Sequence, residues 1–338
     1  MGDPLELLAA LAGIAGEEAR ADWVEDQLSS LGLSPKRDDE GNVWAGSGEL
    51  LLVAHLDTVL PPQGYRVDGG RWYGPGLGDN SAGVAVLLSE ALALSAKGVT
   101  LAFSVGEEGL GNLRGARALV RQLGPRRLLA VDGYVPTLVA QAVGSVRLRA
   151  IFQGPGGHAW GDRQRPSPVP ALGEALVGLY RLDRSAETSL NVGRVWGGEA
   201  INAIPQAVGL ELDLRARDPE ELKILEQGAR AILMEAARAH GVELSLKVLG
   251  ERPAGSTVTP DLLAACVEAL RQEGVEPRLT CGSTDAAAGV ELGIPALALG
   301  VYRGGGAHTP EEWVEPESLW LGKRLLRRVV EVLCASVC

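Results

Sequence analysis

With 338 residues, 46% apolar and 22% charged, the chain has the length of one large domain or two smaller ones and the composition of a globular protein. Its 43 acidic against 32 basic side chains give a net charge of −11, a field that repels a phosphate backbone and argues against nucleic acid as a partner. No apolar run reaches the ~18 residues of a membrane span, and the first residues lack the basic region and apolar core of a secretion signal, so a cytoplasmic protein with no membrane partner is expected.

Apolar positions at helical spacing (Leu5, Leu8, Leu11, then Trp23, Val24, Leu28, Leu31) predict two amphipathic helices over 3–14 and 17–31, with Gly32 as a stop signal. Short, nearly continuous apolar runs follow at 50–54, 99–105, 128–131 and 294–301, alternating with helical patterns at 81–96, 112–123 and 260–273. Buried strands separated by helices are what a mostly parallel sheet covered on both faces requires. Between them the pattern changes. Residues 143–153 alternate apolar and polar as a half-buried strand does, and a helix (167–182), two strands (188–196, 206–216), a helix (219–239) and a strand (242–249) complete a βαββαβ, ferredoxin-like order. The α/β pattern then resumes and ends in a helix near 316–334. The expected architecture is an α/β domain of residues 1–142 and 252–338, interrupted by an α+β insertion over 143–251. The cysteines Cys266, Cys281, Cys334 and Cys338 have no C-x-x-C spacing, and reduced thiols are expected.

Side chains able to do chemistry gather where strands end. His55 closes the first apolar run in His55-Leu56-Asp57-Thr58, and an imidazole with a carboxylate two residues on suits a metal ligand with its orienting partner. Asp79 lies in a glycine-rich loop, Gly74 to Gly83, that opens a helix. That loop has neither the third glycine of G-x-G-x-x-G nor a G-K-[ST], so a nucleotide phosphate does not fit it; taken singly, Asp79 reads as a helix cap. Glu107 and Glu108 follow the run 99–105, Asp132 follows 128–131, and His308 sits in a loop after the strand ending at Val301. Each alone also fits a surface acid or loop histidine. Together, two histidines and three carboxylates (His55, Asp79, Glu108, Asp132, His308) converge on one sheet edge and suit a pair of divalent cations sharing one carboxylate. Glu107 is left beside a ligand, where a hydrolytic centre needs a base for the water proton and an acid for the leaving amine.

These segments resemble the M20 family of co-catalytic zinc peptidases and N-acyl amino-acid amidohydrolases: H-x-D-T, G-x-x-D-x-x-[SA]-G, G-E-E-G, a single Asp and H-[ST]-x-x-E occur in order over essentially the whole chain. The resemblance implies a zinc-peptidase-like catalytic domain with a lid and two zinc ions per chain, replaceable by manganese or cobalt. It implies His55, Asp79 and Asp132 on one zinc, Asp79, Glu108 and His308 on the other, Glu107 as general acid/base and Asp57 orienting His55. In the insertion, Gly156-Gly157-His158-Ala159-Trp160 resembles the lid motif whose imidazole stabilises the oxyanion, in dimeric members across the subunit boundary. Asn202 and Arg215 resemble the lid pair that holds a substrate carboxylate, though an exposed strand cation and a turn before Pro205 also account for them. His240 ends a helix and is expected to be a partner of its C-terminal dipole with no catalytic task. The DNSAG and GGHAW forms resemble the peptidase-T-like branch, while the chain length is that of an acetyl-lysine or acetylornithine deacetylase. The expected substrate is therefore a small peptide or an N-acyl amino acid, handled by a homodimer joined through the lid. A non-catalytic binding relative would lack one of these ligands or Glu107, and a serine hydrolase would need the G-x-S-x-G that is absent here.

Overall fold

The structure is a computed structural model that describes residues 2–335. Its contacts divide the chain into two compact units, residues up to 142 together with those from 256 on, and residues 143–255.

In the first unit α1 (Pro4–Leu11) begins where the Asp3 side chain accepts the Leu5 N–H and proline occupies the first turn, and α2 (Glu17–Ser30) follows. Strands β1 (Lys36–Arg37), β2 (Val43–Ala45) and β3 (Leu50–His55) come next, then the short hairpin β4 (Arg66–Asp68) and β5 (Arg71–Tyr73). The single helix predicted over 81–96 is two, α3 (Ser81–Ser89) and α4 (Ala91–Ser95), broken at Glu90. The Glu90 side chain is fully buried and ion-paired with Lys323 and Arg327 at this break. After β6 (Thr100–Ser104), Asn112 and Leu113 take left-handed backbone angles, which delays α5 (Arg114–Leu123) by two residues from the predicted start at 112. Strands β7 (Arg127–Val131) and β8 (Thr137–Ala142) complete this stretch.

The second unit holds β9 (Gly144–Gln153), β10 (Gly157–His158), α6 (Pro168–Arg181), β11 (Thr188–Gly197), β12 (Ala203–Ile204), β13 (Ala207–Ala216), α7 (Pro219–Ala239) and β14 (Glu243–Arg252). Its four-stranded sheet has the order β11-β13-β9-β14, antiparallel throughout. That is the ferredoxin-like arrangement, with α6 and α7 packed on one face through Ala171, Leu179, Leu225 and Leu233 against Leu148, Leu210 and Leu214. Strands β10 and β12, distant in sequence, pair antiparallel as a separate two-stranded sheet.

The chain then returns to the first unit with α8 (Pro260–Gln272), β15 (Arg278–Gly282), α9 (Ala286–Glu291), β16 (Ala296–Leu299), β17 (Arg303–Gly305), β18 (Trp313–Glu315) and α10 (Ser318–Ala335). The central sheet has eight strands in the order β1-β2-β6-β3-β7-β16-β8-β15, and its middle four, β6, β3, β7 and β16, run parallel. Both faces are covered: Leu50, Leu52 and Ala54 of β3 join the core under α1, α3, α8 and α10, whereas Leu51 and Val53 join the core under α5 and α9. A second sheet, β17-β18-β5-β4, brings the far end of the chain onto the β4–β5 hairpin. Cys266, Cys281 and Cys334 are free thiols, and Cys338 lies outside the described residues. Among the described residues no helix is long and apolar enough to cross a membrane.

Candidate active site

Parallel strands deliver the site. His55 is the last residue of β3, Ser104 ends β6 directly beside it, and Asp132 follows β7 with its N–H bonded to the Leu299 carbonyl at 3.0 Å. These are the carboxyl ends of adjacent parallel strands, where α/β sheets open a crevice. The buried His55 ring has Nδ1 3.0 Å from the Asp57 carbonyl oxygen and Nε2 3.1 Å from Asp79 Oδ1. A carbonyl only accepts, so Nδ1 carries a proton, and Nε2, which faces a carboxylate oxygen, would offer its lone pair to a cation that displaces the proton shared with Asp79.

Asp79 does not cap α3, whose N-cap position is Asn80. Its carboxylate instead lies between two imidazoles, with Oδ1 near His55 and Oδ2 3.1 Å from His308 Nε2. His308 Nε2 is also 3.0 Å from Glu108 Oε1, and its backbone φ of +66°, uncommon for any residue but glycine, marks a ring held in place by its loop. Ala307 donates its N–H to the Tyr134 hydroxyl, which steadies the same loop. Donor atoms of His55, Asp79 and Asp132 lie within 4.8 Å of one another, as do those of Asp79, Glu108 and His308, and those of His55, Glu107 and Glu108.

The electrostatics describe a nest of acids. Burial, with the Asp79 carboxylate next to it, pushes Asp132 up to about 7. The hydrogen bond to Asp79 and the Glu108 carboxylate raise His308 to about 9. Burial opposes the charge on His55, but Asp57 and Asp79 lift it well above the ordinary imidazole value. Three carboxylates crowded with two imidazole nitrogens form the donor chemistry that a pair of borderline divalent cations fits.

Three further residues hold this arrangement, and nothing in the sequence reading assigned them a task. Arg20, on α2 and only 1% exposed, donates to the carbonyls of Leu56 (2.7 Å), Ile14 (3.2 Å) and Leu11 (3.3 Å) and to the Ser81 hydroxyl, tying the His55 segment to the start of α3. Burial lowers its guanidinium to about 10 against the opposing pull of Asp57 and Glu312. Asp285, ahead of α9, accepts from the Ser104 hydroxyl. Glu312 accepts backbone N–H groups of the Asp79 loop, and burial pushes its carboxyl up to about 7 while those N–H groups hold it down. The signal for Glu312 was present in the sequence as the last residue of H-[ST]-x-x-E.

The second unit carries the other three candidates. His158 is on β10, opposite Ala203 of β12, and its Nδ1 accepts the N–H groups of Trp160 and Gly161, each at 3.2 Å. Its own N–H donates to Asp162 Oδ2 at 2.8 Å. Asn202 directly precedes β12, and its carbonyl accepts the Ala159 N–H at 2.9 Å. Arg215 is on β13 with Nε bonded to Asp213 at 2.6 Å. His240 caps the end of α7 and pairs with Glu174 at 2.7 Å.

A mostly parallel α/β sheet with imidazole and carboxylate donors converging at its strand ends, in a chain that also holds a ferredoxin-like unit, defines a metallohydrolase. The chain belongs to the peptidase family M20/M25/M40, whose family model matches residues 51–332. Among curated relatives, the putative succinyl-diaminopimelate desuccinylase DapE of Mycobacterium tuberculosis (strain ATCC 25618 / H37Rv) is 29% identical over 97% of this chain and 98% of its own length. Carboxypeptidase G2 of Pseudomonas sp. (strain RS-16) is 27% identical over 92% of this chain and 84% of its own. Among solved structures, a tripeptidase from Staphylococcus aureus matches with a TM-score of 0.82 at 23% identity, covering 98% of both chains. Aminopeptidase PepT from Bacillus cereus matches at 0.80 and 22%, again over 98% of both chains. These two likenesses speak to the fold alone.

Proposed function

We propose that this enzyme hydrolyses the amide bond of a small peptide or N-acyl amino acid with the help of two divalent cations per chain, zinc foremost, with manganese or cobalt able to take its place. The observation that carries the reading is Asp79, whose two oxygens each lie 3.1 Å from a different imidazole, so that one carboxylate would be able to serve two cations. We assign His55, Asp79 and Asp132 to one cation and Asp79, Glu108 and His308 to the other. When bound, the cations supply Lewis acidity to the scissile carbonyl and make water easier to deprotonate.

The chain's own residues supply the rest. Glu107, 4% exposed and adjacent to Glu108, takes the proton of the attacking water and returns it to the leaving amine. Asp57 fixes that pair of glutamates by accepting both their backbone N–H groups. On the lid, the N–H groups aimed at His158 Nδ1 place the proton of the neutral ring on Nε2, the tautomer that donates to a developing oxyanion. Asn202 and Arg215 are assigned to the substrate carboxylate, with Asp213 fixing the orientation of the Arg215 fork.

Within this class, the desuccinylase relative matched over 97% of the chain favours an N-acyl amino acid as the substrate. A homodimer through the lid is part of the proposal, supported by the two edge strands β11 and β14 that end its sheet. Free thiols at Cys266, Cys281 and Cys334 suit a reducing, cytoplasmic setting. The test is a panel of dipeptides, tripeptides and N-acyl amino acids assayed on chelated protein with Zn²⁺, Mn²⁺ or Co²⁺ restored. Turnover that survives complete chelation would overturn the reading.

A further inference from the structure

Glu312 is 1% exposed and sits on the turn that follows His308, before β18. Its Oε2 accepts the Gly76 N–H at 2.7 Å, and its Oε1 accepts the N–H groups of Gly78 at 3.0 Å and Asp79 at 2.7 Å. Its backbone carbonyl accepts a fourth N–H of the same loop, from Gly74 at 2.9 Å. The loop is shaped for this approach. A Cβ on Gly78 would stand 2.7 Å from both Glu312 Oε1 and the Tyr302 hydroxyl, closer than real Cβ contacts come. On the far side, Ser81 donates to the Gly76 carbonyl and accepts from Arg20, so the loop is gripped from both ends.

We infer that Glu312 is a positioning residue that locks the two loops carrying Asp79 and His308 to each other and so pre-forms the cation site they share with Glu108. This rests on the two-cation reading above. Asp79 and His308 lie 229 positions apart in sequence, and Glu312 belongs to the His308 turn while its carboxylate ends the backbone N–H groups that present Asp79. His55 and Asp132 are placed differently, by β3 and by the bond after β7. Loss of the Glu312 carboxylate therefore falls on one cation more than on the other. In Glu312→Gln the amide NH₂ opposes a backbone N–H that the carboxylate had accepted, and the loop must shift.

The experiment is calorimetric titration of metal-free protein with Zn²⁺, together with thermal melting of the same metal-free protein. Wild type is expected to take up two equivalents. Because Asp79 is assigned to both cations, Glu312→Gln is expected to weaken both equivalents, one by about 10–100-fold, the usual cost of losing a partner behind the ligands, and the other by less. Glu311→Gln, which removes only the exposed pair with Arg66, is expected to match wild type. Glu312→Asp retains the charge with a shorter reach and is expected to fall between the two. Unchanged affinities for both equivalents in a folded Glu312→Gln would overturn the inference. So would a lower melting temperature with no change in binding, or failure of both Glu312 variants to fold, since the carboxylate would then serve only the fold. Uptake of fewer than two equivalents by wild type would instead defeat the two-cation reading itself.

Discussion

Asp57 and Glu108 are joined through the backbone: the Asp57 carboxylate accepts the Glu108 N–H at 2.7 Å and, on its other oxygen, the preceding Glu107 N–H at 3.0 Å. The same carboxylate stands 3.6 Å from His55 Nδ1, farther than the Asp57 carbonyl at 3.0 Å. Its tightest work is therefore on the glutamate loop, and the imidazole is oriented by the main chain of the same residue. One short segment after β3 thus sets a ligand ring and two acids that arrive on a different strand.

That relationship has a pH signature. Burial disfavours the charge on Asp57, yet the His55 imidazole and the two N–H groups hold its carboxyl down at about 2. A folded value below the unfolded one, roughly 3.9, means that the stabilisation is complete above about pH 4 and is lost as pH falls toward 2, amounting to about 2 kcal/mol. Denaturant unfolding of metal-free protein across this window should show stability falling with pH, and Asp57→Asn should flatten the profile. Parallel profiles for the two proteins would remove Asp57 from the account.

Replacing Glu107 by Gln leaves both proposed cation sets intact and removes the only group assigned to carry the proton. Turnover is expected to fall by roughly 10²–10⁴ while metal content, read by elemental analysis, stays near wild type. Near-normal turnover would sink the mechanism. Loss of metal in parallel with activity would show that Glu107 serves as a ligand, a possibility with a geometric basis because His55, Glu107 and Glu108 donors also lie within 4.8 Å of one another.

Arg215 is bonded to Asp213 at 2.6 Å and is 40% exposed as a side chain, so it has both a structural partner and access to solvent. If it meets a substrate carboxylate, Arg215→Ala should lower kcat/KM for substrates with a free α-carboxylate by roughly 1.5–3 kcal/mol and leave their amidated counterparts nearly unaffected. Equal losses on both would assign Arg215 to the lid's own ion-pair network.

What the sequence revealed and what it hid divide along a physical line. The four parallel strands were legible because each is buried and reads as a nearly continuous apolar run, and His55, Glu107, Glu108 and Asp132 were legible because they close or closely follow those runs. The ferredoxin-like unit was legible from period-two alternation in β9 and β13. Strands β4, β5, β17 and β18 were not, since they are three residues each and owe their pairing, such as Trp313 with Tyr73, to distant chain that no local period reports. Strands β8 and β15 were missed too; they pair with each other from far apart in the chain, and neither is continuously buried. Asp79 reads as a helix cap in isolation, and only the approach of His308 shows that its side chain faces the other way. Nothing in the local sequence marks Arg20; its burial under the His55 segment is a property of packing.

The assembly prediction rests on His158 and the lid that carries it. Strand β10 carries His158 with Trp160 and Gly161 donating to its Nδ1, and Trp160 beside it is 75% exposed. If two copies join through their lids, each His158 can serve the partner's substrate, and each working site is then built from two chains. His158→Ala alone should lower kcat by about 10²–10³, the usual cost of one oxyanion donor, with metal content unchanged. A mixture of His158→Ala and Glu107→Gln subunits that exchange should then regain activity, because one site of every mixed dimer holds both Glu107 and the other chain's His158. The recovered activity should rise with the fraction of mixed dimer, read by native mass spectrometry. A fully active monomer, or no recovery in a mixture shown to have exchanged, would place His158 in the service of its own chain.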